Sequence, residues 1–225
     1  MNRPTPTLHR DDPNAEPLVG NVKATRADWL NHARNILITD GEKQVKILTL
    51  ANRLGVSRSS FYWYFKSRED LLDALLSDWA DTNPGAMVRQ ASLPARSIHA
   101  AICNFFHCVV NPALFDTALD FAVRDWARRA PHVRARLDQA DHSVISALRD
   151  MFARHGYADP EAITRARVLF YMQLGYHSAE VSEPMVDRIA QLGPYLQAFS
   201  GTDPDAQVVA DFTAYALAAE KGELP

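Results

Sequence analysis

The chain has 225 residues, a formal net charge of −3, 47% hydrophobic and 23% charged residues, and only 9 glycines. This is the make-up of a globular, helix-rich protein long enough for a sizeable core, and no apolar run approaches the length that crosses a bilayer. Two cysteines, Cys103 and Cys108, are too few for a disulfide framework and match no zinc spacing.

The net charge hides an asymmetry. From Asn21 to Arg68 there are nine Lys or Arg against three Asp or Glu, about +6. From Glu69 onward there are thirteen against twenty-one, about −8. A basic head on an acidic body suits a chain that touches a polyanion at one end, although small helical domains also drift by several charges without consequence.

Residues 1–22 are rich in Pro, Thr and Asp and lack periodicity, so a disordered tail is expected there. They hold no apolar core of the signal-peptide kind, and the chain is expected in the cytoplasm. Arg3 and Arg10 could reach DNA as a loose arm, but a solvated tail is the simpler reading. From Thr25 to about Thr39, Trp29, Leu30, Ala33, Ile36 and Leu37 recur at helical spacing. Thr25 and Asp28 form a capping box before them, and Asp40-Gly41 stops the helix. A second short helix buries Ile47, Leu50, Ala51 and Leu54. Gly55 turns the chain, Val56 plugs the turn, and Ser57 caps a two-turn helix over about Arg58 to Phe65. Phe61 and Phe65 face inward as core. Arg58, Ser59, Ser60, Trp63 and Tyr64 then lie outside or on the flanks. Ser67 and Asp70 form a second capping box that opens a helix through Leu71, Leu72, Leu75, Leu76 and Trp79, ended by Asn83-Pro84-Gly85.

Gly41, Ala51, Leu54-Gly55-Val56-Ser57, Phe61-Tyr62, Tyr64-Phe65, Lys66, Glu69 and Leu71-Leu72 together resemble the N-terminal signature of the TetR/AcrR family of bacterial transcriptional regulators. The resemblance covers about Thr25 to Leu76. It departs from the pattern at Lys46, where a capping Thr is usual, at Leu48, often polar or basic, at Ser59-Ser60, usually Gly or Pro followed by Thr, and at Arg68, usually Lys. It implies an all-α fold: a helix-turn-helix DNA-binding domain over 23–68 and a larger helical effector-binding and dimerisation domain over 69–225. The implied partners are a palindromic double-stranded DNA operator, a small-molecule effector and a second copy of the chain, with no membrane, no cofactor and no catalysis.

In the body, helix punctuation at Asn111-Pro112, Pro131, Asp159-Pro160, Ser182 before Glu183-Pro184, and Asp203-Pro204 predicts six helices. These lie near 95–110, 112–129, 131–155, 160–180, 184–199 and 204–220. Val168 to Val181 is apolar on several sides. With the last helix (Val208, Val209, Phe212, Ala216, Leu217, Ala218) it is expected to make a four-helix dimer interface.

In the head, Arg58 is the candidate base reader, because a guanidinium can take both acceptors of guanine, while Ser59 and Ser60 can approach bases or phosphates. Tyr62, Tyr64 and Lys66 are expected at phosphates, with Arg68 and Lys46 as further contacts. Trp63 reads equally as a flank residue. His99, Cys103 and His107 share one helix face at four-residue spacing. That could chelate a metal, but they flank the core stripe Ile98, Ile102, Phe105 and Val109, and no metal is assigned. A cavity lined by these three with Trp126, Tyr171, Gln173 and His177 is the expected effector pocket. Asp125 is expected to pair with Arg128 or Arg129. No phosphate loop, nucleophile elbow or H-E-x-x-H is present. The rival readings are a helical enzyme using His and Asp, or a protein-binding adaptor.

Overall fold

A computed structural model describes residues 24–179, 181 and 183–224. The expected tail with Arg3 and Arg10, and the punctuating Ser182, lie outside the described residues. The described chain is all-α: eleven α-helices, two 3-10 segments and no strand among the described residues. In chain order the helices are α1 (Arg26–Asp40), α2 (Ile47–Leu54), α3 (Arg68–Thr82), α4 (Pro84–Ser92), α5 (Ile98–Val110), α6 (Thr117–Ala127), α7 (Pro131–Arg154), α8 (Asp159–Ser178), α9 (Met185–Ala190), α10 (Leu192–Ser200) and α11 (Ala206–Lys221). No helix among the described residues is long and apolar enough to cross a membrane.

Local chemistry explains most boundaries. The Thr25 capping box forms as expected: Asp28 N donates to Thr25 Oγ1 at 3.2 Å and Thr25 N donates to Asp28 Oδ2 at 2.7 Å. At Ser67 only half of the second box forms. Asp70 N donates to Ser67 Oγ, but the Asp70 carboxylate accepts from Lys66 N, one residue further back. Gly55 ends α2 in the left-handed region at φ 65°.

Four expectations change. Asn83-Pro84-Gly85 does not end the helical path; Pro84 starts α4 at a position where its missing N–H costs nothing. A Cβ on Gly85 would sit 3.0 Å from the Ala80 carbonyl oxygen, so glycine permits this tight break. Asn111-Pro112 forms a turn, with Ala113 N bonded to Asn111 Oδ1, and α6 begins after Asp116, whose carboxylate caps Leu119 N. The expected helix 184–199 divides at Gln191, because Pro194 cannot donate to Ala190 and its ring crowds that carbonyl. The last helix starts after Asp205, whose side chain caps Gln207 N. The body thus has eight helices after α3 among the described residues, where six were expected.

The core has two parts. One gathers Trp29, Phe61, Phe65, Leu71, Leu75 and Trp79 of the N-terminal region with Leu119, Val123 and Trp126 of α6 and Val133 and Leu137 of α7. The other joins α4, α5, α8, α10 and α11 to Val144, Leu148, Met151 and Phe152 of α7. The 24 residues of α7, about 36 Å at 1.5 Å per residue, therefore serve both.

The first turns of α6 bind the two parts with polar groups. Asp116 accepts from the Arg34 guanidinium of α1. Its backbone pairs reciprocally with the fully buried Asn83 side chain: Nδ2 donates to Asp116 O at 2.7 Å and Asp116 N donates to Asn83 Oδ1 at 3.2 Å. One turn on, buried Asp120 accepts from Trp79 Nε1 at 3.0 Å and from Arg124 Nε at 2.7 Å. Arg124 also forks onto both oxygens of Asp141 on α7 at 2.8 and 3.0 Å. Burial opposes the charge on Arg124, but the Asp141 and Asp120 carboxylates outweigh it and raise its pKa.

Removing that cation would leave two carboxylates facing each other. Arg124→Met is expected to cost about 2–3 kcal/mol of stability. Arg129→Met, which breaks the exposed pair with Asp125, is expected to cost under about 0.5 kcal/mol. Chemical denaturation of the two variants checks the contrast.

Candidate nucleic-acid interface and body cavities

The reading element, Arg58–Trp63, is a 3-10 turn shorter and tighter than the two-turn helix expected. Its anchor is Phe61, fully buried edge-on to Trp29 at 5.3 Å and stacked on Phe65 at 5.4 Å. Ser57 Oγ bonds Ser59 Oγ rather than a helix amide. With Phe61 pinned, Arg58, Ser59, Tyr62, Trp63, Tyr64 and Lys66 all stand exposed.

Two expected DNA contacts are turned to other work. Ser60 is buried, and its hydroxyl donates to the Ser57 carbonyl at 2.7 Å, so it closes the turn and does not reach outward. Arg68 donates to Val45 O and Glu42 O, each at 2.7 Å, and pairs with the Glu42 carboxylate. It thereby ties the start of α3 to the loop before α2, with Nε and Nη2 engaged there. Glu42 was the sequence signal for that role.

The tie also sets geometry. It holds Val45 against the start of α3, and exposed Lys46 follows at the head of α2. Lys46, Arg58 and Lys66 have no carboxylate within 4.0 Å among the described residues, whereas Arg53 pairs with Asp40, and Arg26 lies over the Phe65 ring at 5.1 Å. Three uncompensated cations, two exposed phenols and Trp63 at 72% exposure form a surface suited to a polyanion. Leu48, 60% exposed, makes the outer side of α2 partly apolar.

The seven residues expected around one body pocket are dispersed. His99 is buried and its Nε2 meets Ser200 Oγ at 3.0 Å and Thr202 O at 3.3 Å, fastening α5 to the end of α10. Cys103 is core, and burial pushes its thiol up to about 12. His107 packs between Phe212 and Tyr215 of α11. Trp126 belongs to the core of the N-terminal region, and Tyr171 is exposed under the Arg167 guanidinium. Gln173 and His177 alone of the seven share a cavity. They lie 2.8 Å apart and line a space of about 340 Å³ with Phe115, Asp120, Arg124 and Asp141. The four-residue spacing along α5 gave the wrong grouping because that helix is buried on several sides. Asp125 pairs with Arg129, one of its two expected partners.

Gln173 also lines a larger cleft, about 680 Å³, between α5, α8, α9, α10 and α11. Sequence reading missed this site. Its lining comes from apolar residues that look like ordinary core, and from Arg188 on a helix whose boundary was not expected.

Comparisons with known proteins bear on both regions. Residues 30–75 match the sequence family described as bacterial regulatory proteins, tetR family. No curated protein matches the chain by sequence. Among solved structures, Salmonella enterica GusR is 17% identical over 87% of this chain and 95% of that one, with a TM-score of 0.56. Mycobacterium smegmatis AmtR is 19% identical over 91% and 98%, with a TM-score of 0.58. A transcriptional regulator from Rhodococcus sp. Rha1 is 16% identical over 90% and 100%, with a TM-score of 0.54. At these identities the likeness is one of fold.

Two outcomes follow from the geometry. Arg68→Met leaves Glu42 and the Val45 carbonyl without their donor and is expected to lower stability by about 1–2 kcal/mol, read by thermal or urea unfolding. Burial holds His107, His155 and His177 below the usual imidazole range; at His177 the Asp120 carboxylate pulls the other way. In the unfolded chain these rings titrate near 6.5 and take up protons first on acidification. Their stabilising effect is complete above that pH and declines below it. The melting temperature is expected to fall between pH 7.5 and 5.5, and His107→Phe to reduce that fall.

Proposed function

We propose that this chain, whose residues 30–75 are the DNA-binding domain of the tetR family of bacterial regulatory proteins, is a homodimeric repressor released from its operator by a small molecule. The chain is a DNA-binding transcription regulator, and the family match at residues 30–75 carries that statement. Pairing and release are supported by the geometry as follows.

Arg58 heads the exposed reading turn and is the residue for guanine edges in the major groove, with Ser59 beside it. Lys46, Tyr62, Tyr64 and Lys66 flank it as phosphate contacts. One such turn covers a short half-site, so two copies read a palindrome with their turns about 34 Å apart. A second copy has a surface to use. Along α8, Thr164, Val168, Tyr171, Gly175 and Ser178 are exposed at helical spacing, with Val168 at 53% and Tyr171 at 47%. On α11, Val208, Phe212 and Ala216, which were expected at the interface, are core of this chain, while exposed Ala210 and Ala214 permit close approach.

The route from body to head runs through α6. Gln173 bonds His177, whose ring stacks on Phe115 at 5.6 Å, next to Asp116 with its hold on Arg34 and Asn83. A ligand that shifts α8 against α6 would disturb that hold and re-aim the reading turn. Ligand and operator then favour different arrangements, and each weakens the other's binding.

Selection of bound duplexes from a random pool is expected to return a palindrome. Binding of random duplex should fall steeply with salt, and a flat salt response would sink the nucleic-acid reading and favour a protein-binding or enzymatic role. Within the selected site, Arg58→Ala is expected to cost about 1–3 kcal/mol and to relax one guanine position in each half-site. Lys46→Ala and Lys66→Ala are each expected to weaken all sequences alike and to reduce the salt slope by about one unit.

A further inference from the structure

The cleft between α5, α8, α9, α10 and α11 has mostly apolar walls, with Phe106, Tyr195 and Phe212 supplying rings and Met172, Ile189 and Leu192 filling between them. Two polar groups in this lining keep hydrogen-bonding capacity unused among the described residues. Gln173 is only 5% exposed; one end of its amide bonds His177 Nε2, and the other end meets no protein group among the described residues. That free end is not sealed in. Among the described residues the one fully enclosed, unpartnered side-chain nitrogen or oxygen is Trp29 Nε1, so the Gln173 amide opens onto the cavities it lines. Which end is oxygen is immaterial here, since a hydroxyl can donate or accept.

The second group is Arg188. It is half-buried, lies over the Tyr176 ring at 5.1 Å, and has no carboxylate within 4.0 Å among the described residues. A half-buried guanidinium without a counter-ion favours an anion, and its planar fork matches a carboxylate. Glu183 shares the cleft but is exposed, and its carboxylate is held at the rim by the Tyr176 hydroxyl at 2.8 Å. That nearby negative charge disfavours a dianion such as a phosphate monoester and leaves room for a single negative charge.

We propose that this cleft is the effector site and that its ligand is an aromatic monocarboxylic acid. The carboxylate sits on Arg188, the ring lies among Phe106, Tyr195 and Phe212, and a hydroxyl or carbonyl on the ligand's inner end bonds the free end of the Gln173 amide. The assignment rests on the ligand-responsive reading above. It adds the chemistry of the ligand and the residue that selects it.

The test is calorimetric titration of the full-length protein with 1-naphthoate, indole-3-acetate and 4-phenylbutyrate, each against its neutral primary amide. At least one acid is expected to bind, with its amide about tenfold weaker or worse, the value of losing a charge-assisted hydrogen bond. Arg188→Met is expected to erase the acid-over-amide preference, and Arg128→Met, at an exposed arginine outside the cleft, to keep it. Melting curves of both variants establish that they fold. Equal binding of acids and amides, survival of the preference in Arg188→Met, or no binding of any acid at millimolar concentration overturns the proposal. The selected operator duplex separates this from the release mechanism. An acid that binds through Arg188 yet leaves operator affinity unchanged supports the ligand assignment and defeats release. Release by neutral compounds alone does the reverse.

Discussion

Asp116 and Asp120 stand one turn apart at the start of α6, and the relation between the two ends of the molecule depends on them. Asp116 caps its own helix, accepts from Arg34 of α1 and pairs through its backbone with Asn83 where α3 gives way to α4. Asp120 takes the Trp79 indole of α3 and shares Arg124 with Asp141 of α7. A carboxylate as deep as Asp120 is costly unless every oxygen is engaged, and here the Trp79 indole and Arg124 engage it, while Arg34 and the Leu119 amide engage the half-buried Asp116. Apolar packing alone would let α3 slide against α6. The directional bonds fix one register between α3 and α6.

The surface at the N-terminal end shows the complementary strategy. Arg68, Arg53 and Arg26 are each occupied by a carboxylate or a ring, and they hold the loops in place. Lys46, Arg58 and Lys66 have no carboxylate partner among the described residues of the same small unit. Positive charge is thus divided between residues that build the surface and residues that present it. Formal charge along the sequence shows the sum but not the division.

This is why legibility differed across the chain. The N-terminal helices could be read because their signals are local: a capping box at Thr25, a left-handed glycine at Gly55, apolar residues four apart at Phe61 and Phe65. The 3-10 form of the reading turn could not, since it follows from how Trp29 and Phe65 pin Phe61 across the sequence. Ser60 and Arg68 have the right chemistry for DNA, and only tertiary neighbours show that each is already engaged. In the body, proline punctuation found most helices, yet Pro84 and Pro194 each divided a helical path in a way that depends on neighbours such as the Ala80 carbonyl. The pocket was the least legible part. Apolar residues with helical spacing look the same whether they face a neighbouring helix or an empty cleft, and His99 and His107, on one helix face by spacing, serve α10 and α11 separately.

The shared use of α7 bears on how such chains can be recombined. Because Val133 and Leu137 belong with Trp29 and Phe61, while Leu148 and Phe152 belong with α5 and α8, the seam between head and body crosses the middle of one helix and falls at no point along the backbone. A chimaera spliced after α3 would hand a foreign reader to an α6 and an α7 shaped for another. To graft a new surface onto this body, the outer residues of the turn Arg58–Trp63 are the modular unit, and the helices beneath them must stay with the body.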